Sequence, residues 1–160
     1  MAIDRQKTET VHWHAVFTAS RAEKKVRDRL EELGVECFLP VQTVLRQWTY
    51  RKSRVVVPVI AGLVFVRVGR QEQVKVLQTK GVVAFLRLKG EAGAAVIPDK
   101  QMEDFRFLLD FSEEAVEMTN ENIKAGDLVR VVKGSLRGME GELIRHKGVT
   151  KVLVRIDMLG

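Results

Sequence analysis

Two stretches of this 160-residue chain combine residue types that can do chemistry. LVRVVKGSLRGMEGELIRH, residues 128–146, places Gly134, Gly138 and Gly141 beside Lys133 and Arg137, the ingredients of a phosphate-binding loop. RQWTYRKSR, residues 46–54, carries Arg46, Arg51, Lys52 and Arg54 with Trp48 and Tyr50 between them and no acid. A Walker loop needs its lysine after the glycines and a helix behind it, so that side chain and helix N-terminus converge on phosphates. Here Lys133 precedes the first glycine and strand patterns lie on both sides. The glycines therefore read as tight turns and bulges, not as a nucleotide cradle. The basic segment has two readings. Its cations can contact phosphates while its aromatics stack on exposed bases, or it is a solvated hairpin tip whose aromatics pack locally.

Catalytic groupings do not emerge. Ser20 is a helix-cap candidate, Ser53 and Ser135 fall on expected loops without a neighbouring His and acid, and Glu31 and Glu32 face different ways on a helix. One cysteine, Cys37, and three histidines, His12, His14 and His146, offer no zinc spacing. No enzyme activity, cofactor or metal is expected; non-catalytic binding is the better class. Lys24, Lys25, Arg27 and Arg29 alternate with Glu23, Asp28, Glu31 and Glu32, which reads as a solvated helix face.

Lys and Arg number 27 against 21 Asp and Glu, a net charge of +6. That balance favours acidic partners such as nucleic acid. The opening MAIDRQKTETVHW lacks the apolar core of a signal peptide, and no run approaches the roughly 18 apolar residues of a membrane span. A cytoplasmic protein without membrane contact is expected. A single cysteine excludes an internal disulfide, and Cys37, among apolar neighbours in VECFLP, reads as a buried small side chain.

The elements that must position these residues follow from periodicity. WHAVFT, 13–18, reads as a strand. Ser20 and Glu23 form a capping-box pattern ahead of a helix whose Ala22, Val26, Leu30 and Leu33 share one face, and Gly34 is placed to end it. A second strand starts at VECFLP and its alternation continues from Val41 to Thr49; the basic segment is the tip of a long hairpin; VVVPVI and GLVFVRV are apolar strands. QEQVKVLQT suits a short helix, GVVAFLRL another strand, and Pro98 begins a helix through DKQMEDFRFLLDF. The order β-α-β-β-β-α-β-α predicts an antiparallel sheet with flanking helices, in the α+β class.

After Phe111 the composition changes. Residues 112–122, SEEAVEMTNEN, hold four glutamates and no base and read as a solvated linker. Beyond it, Leu128 to Val132, Gly141 to Arg145 and Lys151 to Ile156 are strand patterns separated by glycines. The expected organisation is a tail over 1–12, an α+β domain over 13–111, the linker over 112–122 and a small all-β domain over 123–160. Three strands in under 40 residues bury too little surface for a complete barrel, so the chain is expected to stop before that domain does.

GDLVRVVKGSLRGMEGELI resembles the KOW motif of the NusG family of transcription elongation factors, through Gly126-Asp127, an apolar strand, Gly134 and then Gly141. WHAVFTASRAEKKVRDRLEELGVECFLP is similar to the start of that family's N-terminal (NGN) domain, W-Y-x-x-x-T followed by a helix and a C-F-x-P strand. PVIAGLVFVRV stands where the family has P-L-F-P-G-Y-V-F-V, and KGVVAFLRL and IPDKQMEDF match later segments in order. The likeness spans residues 13–160.

The resemblance implies an NGN domain, an antiparallel sheet with helices, followed by an SH3-like KOW barrel that ends after three of five strands. It implies contact with the clamp coiled coil of RNA polymerase through Phe17, Ile60, Leu63, Phe65, Met102 and Phe105, each of which can instead be a core residue. It places Arg29, Arg51, Lys52, Arg54 and Lys80 near the DNA of the transcription bubble, and Leu136 and Met139 where the barrel would meet a small-subunit ribosomal protein or Rho. Ile60 and Leu63 replace the usual aromatics and Ala61 the usual proline, departures that suggest a specialised paralogue similar to RfaH or to factors acting on capsular polysaccharide operons. Such a protein suppresses pausing or termination. The alternative is a ribosome-associated KOW protein that binds structured RNA.

Overall fold

The computed structural model describes residues 10–111, 126–130, 140–146 and 149–153. Its backbone divides into two compact units, one from residues 1–38 and 62–96, the other from 39–61 and 97–160.

The first unit is built on β1 (His12–Thr18), α1 (Glu23–Glu32) and β2 (Glu36–Phe38), then β5 (Leu63–Val68), α2 (Arg70–Leu77) and β6 (Val82–Phe85). The strands form a four-stranded sheet in the order β2-β5-β1-β6, with every neighbouring pair antiparallel. This is the split βαβ arrangement, in which the two outer strands arrive through helical crossovers. Central position explains why β5 reads as a nearly unbroken apolar run. Leu63, Val64, Phe65, Val66 and Val68 are all buried, on both faces. The register pairs His12 with Val68, Ala15 with Phe65 and Phe17 with Leu63, so Trp13, Ala15, Phe17, Leu63 and Phe65 share one face. Phe65 stacks on Phe38 of β2, with ring centroids 6.4 Å apart.

The α1 helix buries Val26 and Leu30, each contributing about 1.5–3 kcal/mol by removal from water. It ends as its sequence predicts. Gly34 adopts φ +76°, its N–H bonds to the Glu31 carbonyl and that of Val35 to the Leu30 carbonyl, a left-handed cap in which buried Val35 meets Leu30. Its start differs from the capping-box expectation. Ala22 is the N-cap and makes no side-chain bond, while Ser20 lies in a turn closed by Arg21 at φ +59°. Glu23 is buried, and its carboxylate accepts the Gly62 N–H at 2.8 Å instead of reaching back along its own helix. Cys37, half-buried, donates to the Arg27 carbonyl at 3.7 Å; burial and then Glu31 push its thiol up to about 11. It is a packing residue of low reactivity.

Two further contacts close this unit. Gly81, at φ +98°, accepts the Ala19 N–H at 2.8 Å and lies so near α1 that a Cβ there would stand 2.8 Å from Cγ2 of Val26. His14 is buried with its ring edge on Phe85, and its Nδ1–H donates to the Ala95 carbonyl at 2.8 Å. Burial holds its pKa below the usual imidazole value, with the Ala95 hydrogen bond opposing.

The second unit contains a two-stranded ribbon, β3 (Val41–Trp48) with β4 (Arg51–Pro58), the helix α3 (Asp99–Phe111), and a three-stranded antiparallel sheet of β7 (Asp127–Arg130), β8 (Glu140–His146) and β9 (Val149–Leu153) in that order. One strand more forms than periodicity predicts. The alternation from VECFLP into Val41 is cut at Leu39–Pro40, where Pro40 has no N–H to give and its carbonyl accepts Val59 N–H. The ribbon is likewise a sheet of its own, not part of the main one. Pro98 caps α3, accepting from Gln101 and Met102 N–H. Gly141 sits inside β8, paired with Val129, not in a turn; β9 begins at Val149, ahead of the expected Lys151. An exposed Arg130–Glu140 pair at 2.6 Å joins β7 to β8 and lowers the Glu140 pKa.

Two outcomes test this packing. Gly81→Ala combines left-handed strain with the Val26 clash and should lower unfolding free energy by roughly 2 kcal/mol or more in urea titration. Because His14 has a lower pKa folded than unfolded, its contribution is complete above about pH 6.5 and is lost as pH falls through the folded value. Unfolding free energy should therefore drop between about pH 7 and pH 5, and His14→Gln, which still donates to Ala95, should flatten that limb; an unchanged slope would assign the limb to other groups.

Candidate functional site

The charges of the ribbon β3–β4 are all of one sign, from Arg46, Arg51, Lys52 and Arg54. Its register pairs Trp48 with Arg51, Gln47 with Lys52, Arg46 with Ser53 and Leu45 with Arg54, leaving Thr49 and Tyr50 as a two-residue turn. Eight-residue strands give it a length of about 26 Å. Between Glu36 and Glu72 the chain has no carboxylate at all. The expectation of a basic hairpin tip is met, with strands continuing to within one residue of the apex.

Paired residues of an antiparallel ribbon share a face, so the cations divide. Gln47, Lys52, Leu45, Arg54, Thr43 and Val56 lie on one face, and all are exposed. Arg46 and Arg51 lie on the other, also exposed, while Gln42, Val44, Val55 and Val57 nearer the base of that face are partly covered. Tyr50 at the turn is 98% exposed. Arg51, Lys52 and Arg54 thus stand together at the distal end of one element. Arg29 and Lys80 come together elsewhere, in the first unit, where Nη1 of Arg29 donates to the Lys80 carbonyl at 2.7 Å. That bond commits part of the guanidinium to holding the turn after α2.

The six apolar positions assigned to polymerase by resemblance separate by burial. Phe17 is 42% exposed, paired across the ladder with buried Leu63. Phe65 is fully buried, as are Met102 and Phe105 on α3, and Ile60 is half-buried in the bend after β4. Val83, which no sequence signal singled out, is exposed next to Phe17. The β1–β6 register shifts there, pairing Phe17 with Ala84 and Thr18 with Val82, and the extra residue Val83 is turned outward. In an apolar run such as VVAF, residue type alone does not reveal a bulge. Leu45 and Val56 are further exposed apolar residues of the ribbon. Leu136 and Met139 lie outside the described residues, as do Lys133, Gly134 and Gly138. The strand β7 ends at Arg130 and the strand β8 begins at Glu140, where a nucleotide-binding loop would lead into a helix.

Among the described residues no group of His, Cys, Asp or Glu is arranged to hold a metal ion, and no helix is long and apolar enough to cross a membrane.

The family model described as "Transcription termination factor nusG" matches residues 11–106. Two solved structures are similar. One, described as "Domain interaction in Thermotoga maritima NusG", shares 22% identity, covers 92% of this chain and 88% of its own, with a TM-score of 0.49. The other, of the MjSpt4:Spt5 complex, shares 19% identity over 83% of this chain and 75% of its own, with a TM-score of 0.31. No curated protein matches the chain. The family match takes in the whole four-stranded sheet, both its helices, the basic ribbon and the start of α3, and by that match this chain belongs to the NusG family of non-enzymatic transcription factors.

Proposed function

We propose that this protein is an elongation or antitermination factor that binds RNA polymerase through the α+β region at 13–111 and contacts DNA of the transcription bubble. In this reading it suppresses pausing or termination as an operon-directed paralogue. The observation that carries the proposal is the family match over 11–106 combined with Phe17, which stays exposed at a position the resemblance gives to polymerase. An exposed aromatic with an exposed aliphatic neighbour, Val83, suits a contact made by apolar burial. Leu63 and Phe65 would then support that contact from the core of the sheet, while buried Met102 and Phe105 would hold α3 from its own buried face. The ribbon cations Arg51, Lys52 and Arg54 supply the electrostatic partner for DNA, with Arg29 and Lys80 as further candidates.

Residues 112–122 would serve as a tether and 123–160 as a KOW module recruiting a small-subunit ribosomal protein or Rho through Leu136 and Met139. The three antiparallel strands β7, β8 and β9 are compatible with such a module. The work would be done where transcription takes place, without a cofactor.

The test separates contact from folding. Phe17→Asp should leave the fold intact by circular dichroism and weaken co-purification with core RNA polymerase by roughly tenfold or more, whereas Phe65→Asp should unfold the protein. Full retention of polymerase by folded Phe17→Asp removes Phe17 from the interface; absence of wild-type binding at low salt, with binding to ribosomes instead, replaces the proposal by the ribosomal reading. In single-round transcription across several templates, an operon-directed factor should shorten pauses on some and not on others, and uniform shortening would mark a general factor.

A further inference from the structure

The ribbon tip is built unlike a surface that merely rests against duplex phosphates. Its cations occur as two pairs on opposite faces, Lys52 with Arg54 and Arg46 with Arg51. A straight duplex lying along one face meets one pair only. Between them, at the apex, stands a tyrosine ring in full contact with water. Tyr50 is the chain's single tyrosine, and it lies inside a stretch free of carboxylates from Glu36 to Glu72. An aromatic ring left unpacked at a turn contributes nothing to the core, and among polar turn residues it is an expensive exposure of apolar surface.

We infer that the tip binds an unpaired nucleic-acid strand, with one base stacked on Tyr50 and the backbone passing over both cation pairs. This rests on the proposed contact between ribbon and nucleic acid and names the form of the ligand. A single strand is flexible enough to fold over the turn and place phosphates beside both faces, and its bases offer free π-faces. In a duplex every base face is already stacked, so Tyr50 would have to break a stack to make one. Electrostatics alone predicts the opposite preference. A duplex has the higher charge density and should bind a purely cationic ribbon more tightly. Preference for single strands is therefore a signature of the ring and not of the charges.

The experiment uses the full chain and fluorescence anisotropy with a labelled single-stranded oligonucleotide of about a dozen nucleotides, as DNA and as RNA, beside the duplex of equal length, from about 50 to 200 mM salt. The wild type should bind the single strand at least as tightly as the duplex. Tyr50→Ala should weaken single-strand binding by roughly 5- to 150-fold, leave duplex binding unchanged and leave the salt slope unchanged, while Tyr50→Phe stays close to the wild type. Arg51→Gln with Lys52→Gln should weaken both ligands and flatten the salt dependence. Because Tyr50 is fully exposed, loss of fold does not confound its variants. If Tyr50→Ala affects neither ligand, or both equally, while the charge variant weakens both, stacking is overturned and electrostatic contact with nucleic acid stands. If the wild type binds no ligand even at the lowest salt, the nucleic-acid contact itself falls. Unequal binding of the DNA and RNA strands, each sensitive to Tyr50→Ala, identifies the strand the tip prefers.

Discussion

The antiparallel register between β1 and β5 is the constraint from which the rest follows. Side chains alternate along a strand, so a slip of one residue would exchange the Phe65 face, which also carries Arg67, for the Val64 and Val66 face. One junction prevents the slip. Gly62, immediately before β5, donates its N–H to the Glu23 carboxylate at 2.8 Å and accepts the Thr18 N–H at 2.9 Å, with φ at +72°. Both polar backbone groups of a single residue are thereby tied, one to the start of α1 and the other to the end of β1. Glycine is what permits the left-handed turn without strain. A buried carboxylate is costly unless hydrogen-bonded, and here the bond that satisfies Glu23 is also the one that sets where β5 enters the sheet.

That junction explains which parts of the fold are legible in the sequence. The end of α1 is local: Gly34, Leu30 and Val35 stand within six residues of one another, and composition suffices to read the cap. The start of α1 is not. Ser20 and Glu23 have capping-box spacing, but Glu23 is recruited by a backbone N–H 39 residues away, and a pattern of four residues holds no information about such a partner. Strand partners suffer in the same way. Alternation identifies β3 and β4 as strands but does not reveal that, among the described residues, they pair with each other and not with the main sheet. At Pro40 the interruption was visible in the residue type, and the apolar alternation around it concealed the break.

For the functional positions, the gap between sequence and structure is one of burial. Phe17 and Phe65 are the same residue type on neighbouring strands and share a sheet face, yet one is 42% exposed and the other fully buried. The difference arises from position: Phe65 lies mid-strand, stacked on Phe38, while Phe17 lies at the end of β1 beside the β1–β6 register shift. Periodicity gives the face and not the depth. Charge is easier to read, because a run of cations without acids can be satisfied only by solvent or a partner. The basic ribbon was accordingly legible as an element and as a chemical class.

Those cations have a second physical role that must be weighed against binding. An isolated two-stranded ribbon is marginally stable and exposes strand edges, and charged side chains deter edge-to-edge pairing. Leu45 and Val56, both exposed, raise that hazard here. Edge protection, however, is served equally by lysines and glutamates, and mixed signs would spare the ribbon its internal repulsion. Arg46, Arg51, Lys52 and Arg54 instead repel one another with no acid among them, a cost that solubility does not require and a polyanion would relieve. Phosphate contacts of this kind position a protein without reading sequence. Any discrimination among nucleic acids would need a group that senses bases or their accessibility, and on this ribbon the exposed ring of Tyr50 has that chemistry.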